Sequence, residues 1–116
     1  MIFKNSKLNP RLFDENVEQA PTRDGFGRGL VEAGEKNPRV VALCADLVES
    51  TRMHWFAEKF PERFIEVGVA EQNLATLASG LANYVKITFI ASYALFSPGL
   101  NNDQIRTTIW VYNVPV

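Results

Sequence analysis

The sequence predicts an α/β fold: a doubly wound, mainly parallel sheet with helices on both faces, present here in incomplete form. Three observations carry that prediction. Val40 to Ala45 is a continuous apolar run, the pattern of a strand buried on both faces. Phe64–Val67 and Ile87–Ser92 read as two further short strands. Helical periodicity lies before, between and after the three runs, and strands that alternate with helices form parallel sheets.

Residues 1–21 read as an arm. Asn9-Pro10 and Ala20-Pro21 punctuate it, and Asp14, Glu15 and Glu18 keep it polar, although Phe3, Leu8, Leu12 and Phe13 can dock on a surface. Residues 22–116 form one partial domain. Thr22 is suited to cap a first helix, with Phe26, Leu30, Ala33 and Gly34 on its inner face and Asn37-Pro38 at its end. After the first strand, Asp46–Thr51 is a polar loop. Met53–Phe60 reads as a short helix closed by Pro61. Gly68 turns the chain after the second strand, and Ala70–Tyr84 is a helix with Leu74, Leu77, Ala78 and Leu81 on one face. A helix from about Asn101 to Tyr112 follows the third strand. The small residues of Ala70–Tyr84, Ala78 among them, predict a face for symmetric association.

Composition narrows the function. With 12 basic and 13 acidic residues the net charge is −1, so no electrostatic footprint for nucleic acid or an anionic membrane is present. No run approaches the ~18 apolar residues of a membrane span. One cysteine and one histidine exclude a disulfide framework and a Cys/His metal cage within a monomer. Met1–Pro10 lacks an apolar core of signal-peptide length, and the expectation is a cytoplasmic, reducing location. The apolar end, Ile109, Trp110, Val111, Val114 and Val116, leaves a thin sheet with open edges. Either the chain stops inside a larger domain or another chain completes the sheet.

Ligands of such sheets sit beyond the C-terminal ends of the strands. Three segments lie there: Asp46–Thr51, Gly68–Asn73 and Ser92–Gly99. Asp46 either faces the crevice or caps its own turn. Glu71 opens a helix, where a carboxylate either complements the helix dipole or faces a ligand nitrogen. Tyr93 and Phe96 offer aromatic faces to a flat ligand or simply fill core. Gly25-Phe26-Gly27-Arg28-Gly29 does not fit a dinucleotide fingerprint: its third glycine would fall at Leu30, and no strand precedes it. Close helix packing explains these glycines better. Cys44 and His54 suggest a nucleophile pair on paper, but a buried structural thiol is the better reading.

Ala45-Asp46-Leu47, Ser50-Thr51, the run Phe60-Pro61-Glu62-Arg63-Phe64-Ile65-Glu66-Val67-Gly68-Val69-Ala70-Glu71-Gln72-Asn73, and Ala78-Ser79-Gly80-Leu81-Ala82 together resemble the pyrimidine-binding domain of transketolases. The likeness runs from about Thr22 to the end and is most specific around Phe60–Asn73; with the short arm before Thr22 it suggests the C-terminal subunit of the split, two-gene form. The resemblance implies that Glu71 hydrogen-bonds the aminopyrimidine of thiamine diphosphate, favouring the imino tautomer that takes the thiazolium proton. It implies that Phe96 stacks on that ring, that Tyr93 is a neighbouring aromatic, and that Asp46 and Leu47 border the cofactor. The implied reaction moves a two-carbon ketol unit from a ketose phosphate to an aldose phosphate, with the carbanion chemistry supplied by the cofactor. An N-terminal subunit would hold the diphosphate and its Mg2+, since no Gly-Asp-Gly motif with a downstream Asn occurs here. A homodimer or heterotetramer is the implied assembly.

Val85 and Thr88 depart from the Gly and Pro usual around the Lys86-Ile87 pair, and Trp110 stands where smaller residues are common, so overpacking is expected there. A deoxyxylulose-phosphate synthase, a 2-oxoacid dehydrogenase beta subunit and a non-catalytic remnant or interaction module remain rival readings.

Overall fold

The computed structural model describes residues 7–116. Its element order is α1 (Thr22–Lys36), β1 (Val40–Cys44), α2 (His54–Lys59), a 3-10 turn at Pro61–Arg63, β2 (Phe64–Glu66), α3 (Glu71–Asn83), β3 (Ile87–Ala91) and α4 (Asn102–Gln104), which runs on as a π-helical segment at Ile105–Trp110. Residues 7–20 contain turns but neither helix nor strand, with Leu8 and Phe13 exposed. Phe3 lies outside the described residues.

The strands form one parallel sheet in the order β2-β1-β3. Ala42 pairs with Phe64 on one side and with Phe89 on the other. β1 is therefore central, and every one of its residues is buried. Its side chains alternate between two cores, as the pleat requires. Val40, Ala42 and Cys44 pack with Leu30, Met53 and Phe56 beneath α1 and α2. Val41, Leu43 and Ala45 pack with Leu74 and Ala78 of α3. Helices thus cover both faces, which is why β1 carries no polar residue.

The helix ends differ from expectation in instructive ways. Pro21 holds the capping position of α1, and Thr22 is its first residue with no side-chain cap bond. Proline disfavours a helical conformation only for the residue before it, so this start is unstrained. At the other end, the Arg63 guanidinium donates to the carbonyls of Gly34 (3.0 Å) and Asn37 (3.3 Å), satisfying acceptors that the helix leaves open. Arg63 also lies over the Phe60 ring, 3.9 Å from its centroid. α4 is short, and a π-helical turn replaces the rest of the expected helix. Thr107 and Thr108 donate their hydroxyls to the carbonyls of Asp103 and Gln104, at 2.7 and 2.6 Å. Those bonds compete with the α-helical ladder, and β-branched Ile105 and Ile109 favour it little. Trp110 points outward and is 75% exposed, so the overpacking expected there does not occur.

Ala78 is buried against the molecule's own sheet, not on an associating face. Ser79, on the adjoining side of α3, is buried and donates to Thr108 O of the last helical segment. Ala75, Ala78, Ser79 and Ala82 serve close packing within the chain, while Gly80 faces open space.

Val85 follows α3 with φ +58° and is 70% exposed. A left-handed backbone costs a Cβ-bearing residue about 1–2 kcal/mol, and glycine's greater freedom in the unfolded chain takes back part of the difference. Val85→Gly is expected to stabilise the fold by about 1 kcal/mol, read as a higher urea midpoint at unchanged slope. A lowered midpoint would contradict this. Thr88 is buried, and its N–H points away from β1 to Pro115 O at 3.3 Å. A residue without that N–H therefore costs the β1–β3 ladder nothing, which makes Thr88 and proline interchangeable at this edge as far as pairing goes.

Candidate functional site

The C-terminal ends of all three strands open onto one side, and two carboxylates organise the loops there. Glu66 closes β2. Its Oε1 accepts the N–H of Asp46 at 2.7 Å and the N–H of Gly68 at 2.8 Å. Both donors have left-handed backbones, with φ +57° at Asp46 and +70° at Gly68. One carboxylate thus pins the turns that leave β1 and β2. Charge-assisted bonds of this kind are worth roughly 1.5–3 kcal/mol each before solvent competition. Glu66→Ala is expected to lose about 1–2 kcal/mol, less than the sum because both amides are reachable by water. It should also speed amide exchange at Asp46 and Gly68 without affecting β1; unchanged exchange at both would refute the pin.

Glu71 is the first residue of α3, with Ala70 in the capping position. Its side chain is only 7% exposed. Among the described residues no hydrogen bond or ion pair engages its carboxylate. The first turn of a 13-residue helix places partial positive charge behind it. A nearly buried carboxylate with free lone pairs is a strong acceptor waiting for a donor.

Glu71 opens onto a cavity of about 230 Å³ lined by Ala45, Asp46, Leu47, Val69, Phe96 and Leu100. Its walls are apolar apart from the two carboxylates. Four of the five residues expected at the site therefore meet here: Asp46, Leu47, Glu71 and Phe96. Tyr93 does not line this cavity. Its ring stacks near that of Phe96, with centroids 6.3 Å apart and planes 21° apart, and it faces a second cavity. That cavity, about 530 Å³, is bounded by Arg23 and Phe26 of α1, Ser50 and Thr51, and Ser92 and Tyr93. The Ser92 hydroxyl is buried with no partner among the described residues.

Three residues of this region escaped the sequence reading. Val69 and Leu100 are exposed apolar residues on the rim of the smaller cavity. Glu66 had a signal, since a charge breaks an otherwise apolar strand at Phe64-Ile65-Glu66-Val67. The Cys/His idea gains no support. Cys44 is fully buried in β1, with Sγ 3.9 Å from Ala91 O. Burial pushes its thiol pKa up, which opposes formation of a nucleophilic thiolate. His54 rests edge-on to Trp55 at the start of α2. Of the α1 glycines, Gly27 and Gly34 are the close-packed ones, while Gly25 and Gly29 face open space.

The fold agrees with what known proteins show. The chain belongs to the transketolase pyrimidine-binding domain family, whose model matches residues 18–116. It is 45% identical over 87 residues to a Methanocaldococcus jannaschii protein named "Putative transketolase C-terminal section", covering 75% of this chain and 28% of that one. It is 43% identical over 120 residues to the 1-deoxy-D-xylulose-5-phosphate synthase of Dictyoglomus thermophilum, covering 97% of this chain and 19% of that enzyme. Among solved structures, a split-gene transketolase in an inactive beta4 tetramer superposes with a TM-score of 0.68 at 46% identity, covering 76% of this chain and 29% of that chain. The chain thus spans less than a third of the length of these relatives.

Proposed function

We propose that this chain supplies the pyrimidine-binding half of a thiamine-diphosphate-dependent transketolase, acting on sugar phosphates together with an N-terminal partner subunit. The observation that carries the reading is the small apolar cavity in which the unpaired Glu71 carboxylate and the Phe96 ring meet. The cavity has the size for a single heteroaromatic ring rather than a whole cofactor, since sites for drug-sized ligands run to about 300 Å³ and more. Glu71 would accept a hydrogen bond from a ring nitrogen, and Phe96, with Leu47, would hold the ring's faces. Asp46 borders it. When bound, thiamine diphosphate supplies the carbanion that carries the two-carbon unit.

These residues fit the pyrimidine end only. Among the described residues no group of three or more His, Cys, Asp or Glu is gathered to hold a metal ion. On this reading the diphosphate and its Mg2+ belong to the partner, within a cytoplasmic homodimer or heterotetramer. Exposed Val69, Leu95 and Leu100 around the crevice suit burial by that partner. The second cavity suits the anionic end of a sugar phosphate: Arg23 brings charge, Ser50 and Ser92 bring hydroxyls, and the first turn of α1 faces it.

A second reading, a deoxyxylulose-phosphate synthase, draws support from the 43% identity to the Dictyoglomus enzyme across nearly the whole chain. Donor use separates the two. The chain combined with its N-terminal partner is expected to consume a ketose phosphate and pass its two-carbon unit to an aldose phosphate. Turnover of pyruvate with no use of ketose phosphate would transfer the assignment to the synthase.

A further inference from the structure

The two walls of the smaller cavity come from different segments. Glu71 stands on the first turn of α3, and Phe96 belongs to the loop that follows β3. Some element must fix one against the other, because an aromatic face and a carboxylate can hold a ring only at a set mutual position. Asn101 is placed for that. It is wholly buried, a rare state for an amide side chain. Its Nδ2 donates to the main-chain carbonyl of Glu71 at 3.0 Å and to Ser97 Oγ at 3.0 Å. Both amide hydrogens are thereby used, one toward each wall. Leu100, the residue before it, lines the cavity and donates its N–H to Phe96 O at 2.8 Å. The Oδ1 is buried with no partner among the described residues. A buried acceptor left open costs stability. An apolar residue would avoid that cost, so packing alone does not account for an asparagine here.

The geometry points to Asn101 as a positioning residue that latches the Phe96 loop onto the α3 turn bearing Glu71. It acts through Glu71 and Phe96 and does not itself line the cavity. The assignment rests on the proposed pyrimidine site for its functional consequence, but the latch itself does not.

The test has two arms. In the whole chain, Asn101→Ala is expected to speed amide exchange at two separated places together: Phe96, Ser97 and Leu100 in the loop, and Leu74 in the first turn of α3. The amides of β1 should keep their protection. Ser97→Ala removes one acceptor of the latch without emptying the core, and should give the same pattern more weakly. In the enzyme assembled with its N-terminal partner, both variants should raise the thiamine diphosphate concentration for half-saturation, on the order of tenfold for Asn101→Ala. The pH profile at saturation should not move.

Exchange confined to one wall in both variants overturns the latch. Coupled exchange with unchanged half-saturation makes Asn101 a packing residue and overturns its positioning role. Should the wild-type assembly show no dependence on thiamine diphosphate, the pyrimidine-site reading falls, and the exchange arm still decides whether the two walls are latched.

Discussion

Glu71→Gln is expected to lower cofactor-dependent ketol transfer by on the order of a hundredfold or more, with little change in stability. The two readings of Glu71 predict different numbers. A carboxylate that only complements the helix dipole is worth about 0.3–1 kcal/mol, and glutamine would forfeit that with no catalytic consequence. A carboxyl group that shares a proton with a bound ring nitrogen loses its function on amidation, since glutamine keeps the shape but holds no charge and binds no proton. The burial of Glu71, its unused lone pairs and the facing Phe96 ring favour the second. The measurement is turnover by the assembled enzyme beside a denaturant midpoint of the same variant. A loss of stability of about 1 kcal/mol with turnover intact would return Glu71 to the dipole role. Loss of turnover at full thiamine diphosphate saturation places the defect in the proton relation rather than in binding.

The sequence shows the parts of the fold that rest on burial. β1 is readable because a strand covered on both faces can carry no polar residue, and Val40–Ala45 carries none. α3 is readable because Leu74, Leu77, Ala78 and Leu81 share a face, and that face packs on the sheet. What escapes is settled by hydrogen bonds between distant residues. Spacing does not reveal that Glu66 takes amides from two different turns, or that Asn101 reaches a carbonyl 30 residues away. The π-helical turn escapes for a different reason: the Thr107 and Thr108 hydroxyls bond carbonyls four residues back and compete locally with a periodicity that reads as α. At the site, Tyr93 and Phe96 look equivalent at a separation of three residues. A turned loop sends them toward different cavities. Trp110 failed because the side of a helix that meets the core is fixed by its neighbours in space, and the associating role of Ala78 because this chain's own sheet covers the face it shares with Leu74.

Glycine substitutions in α1 should have opposite signs at sites one turn and a half apart, and this is the largest stability effect expected from the fold. Gly29 faces open space, so Gly29→Ala should stabilise by about 0.5–1 kcal/mol through helix propensity alone. A Cβ on Gly34 would stand 2.6 Å from Phe56 Cε2 and 2.7 Å from Phe60 Cε2. Phe56 is fully buried and packs against Phe60, with ring centroids 5.0 Å apart, so the Phe56 ring has nowhere to retreat. Gly34→Ala should therefore fail to gain the propensity term. Gly34→Leu should cost about 1–3 kcal/mol or more by overpacking, a large fraction of the roughly 5–15 kcal/mol that holds a domain of this kind. The damage should also travel. Arg63 bonds Gly34 O and stacks on Phe60, and it directly precedes β2, whose last residue Glu66 pins two turns of the crevice. A leucine that drives α1 off α2 is thus expected to loosen the Asp46 and Gly68 amides as well as lower the midpoint. Equal stabilisation by alanine at Gly29 and Gly34 would mean that α1 and α2 do not approach as closely as these two rings require.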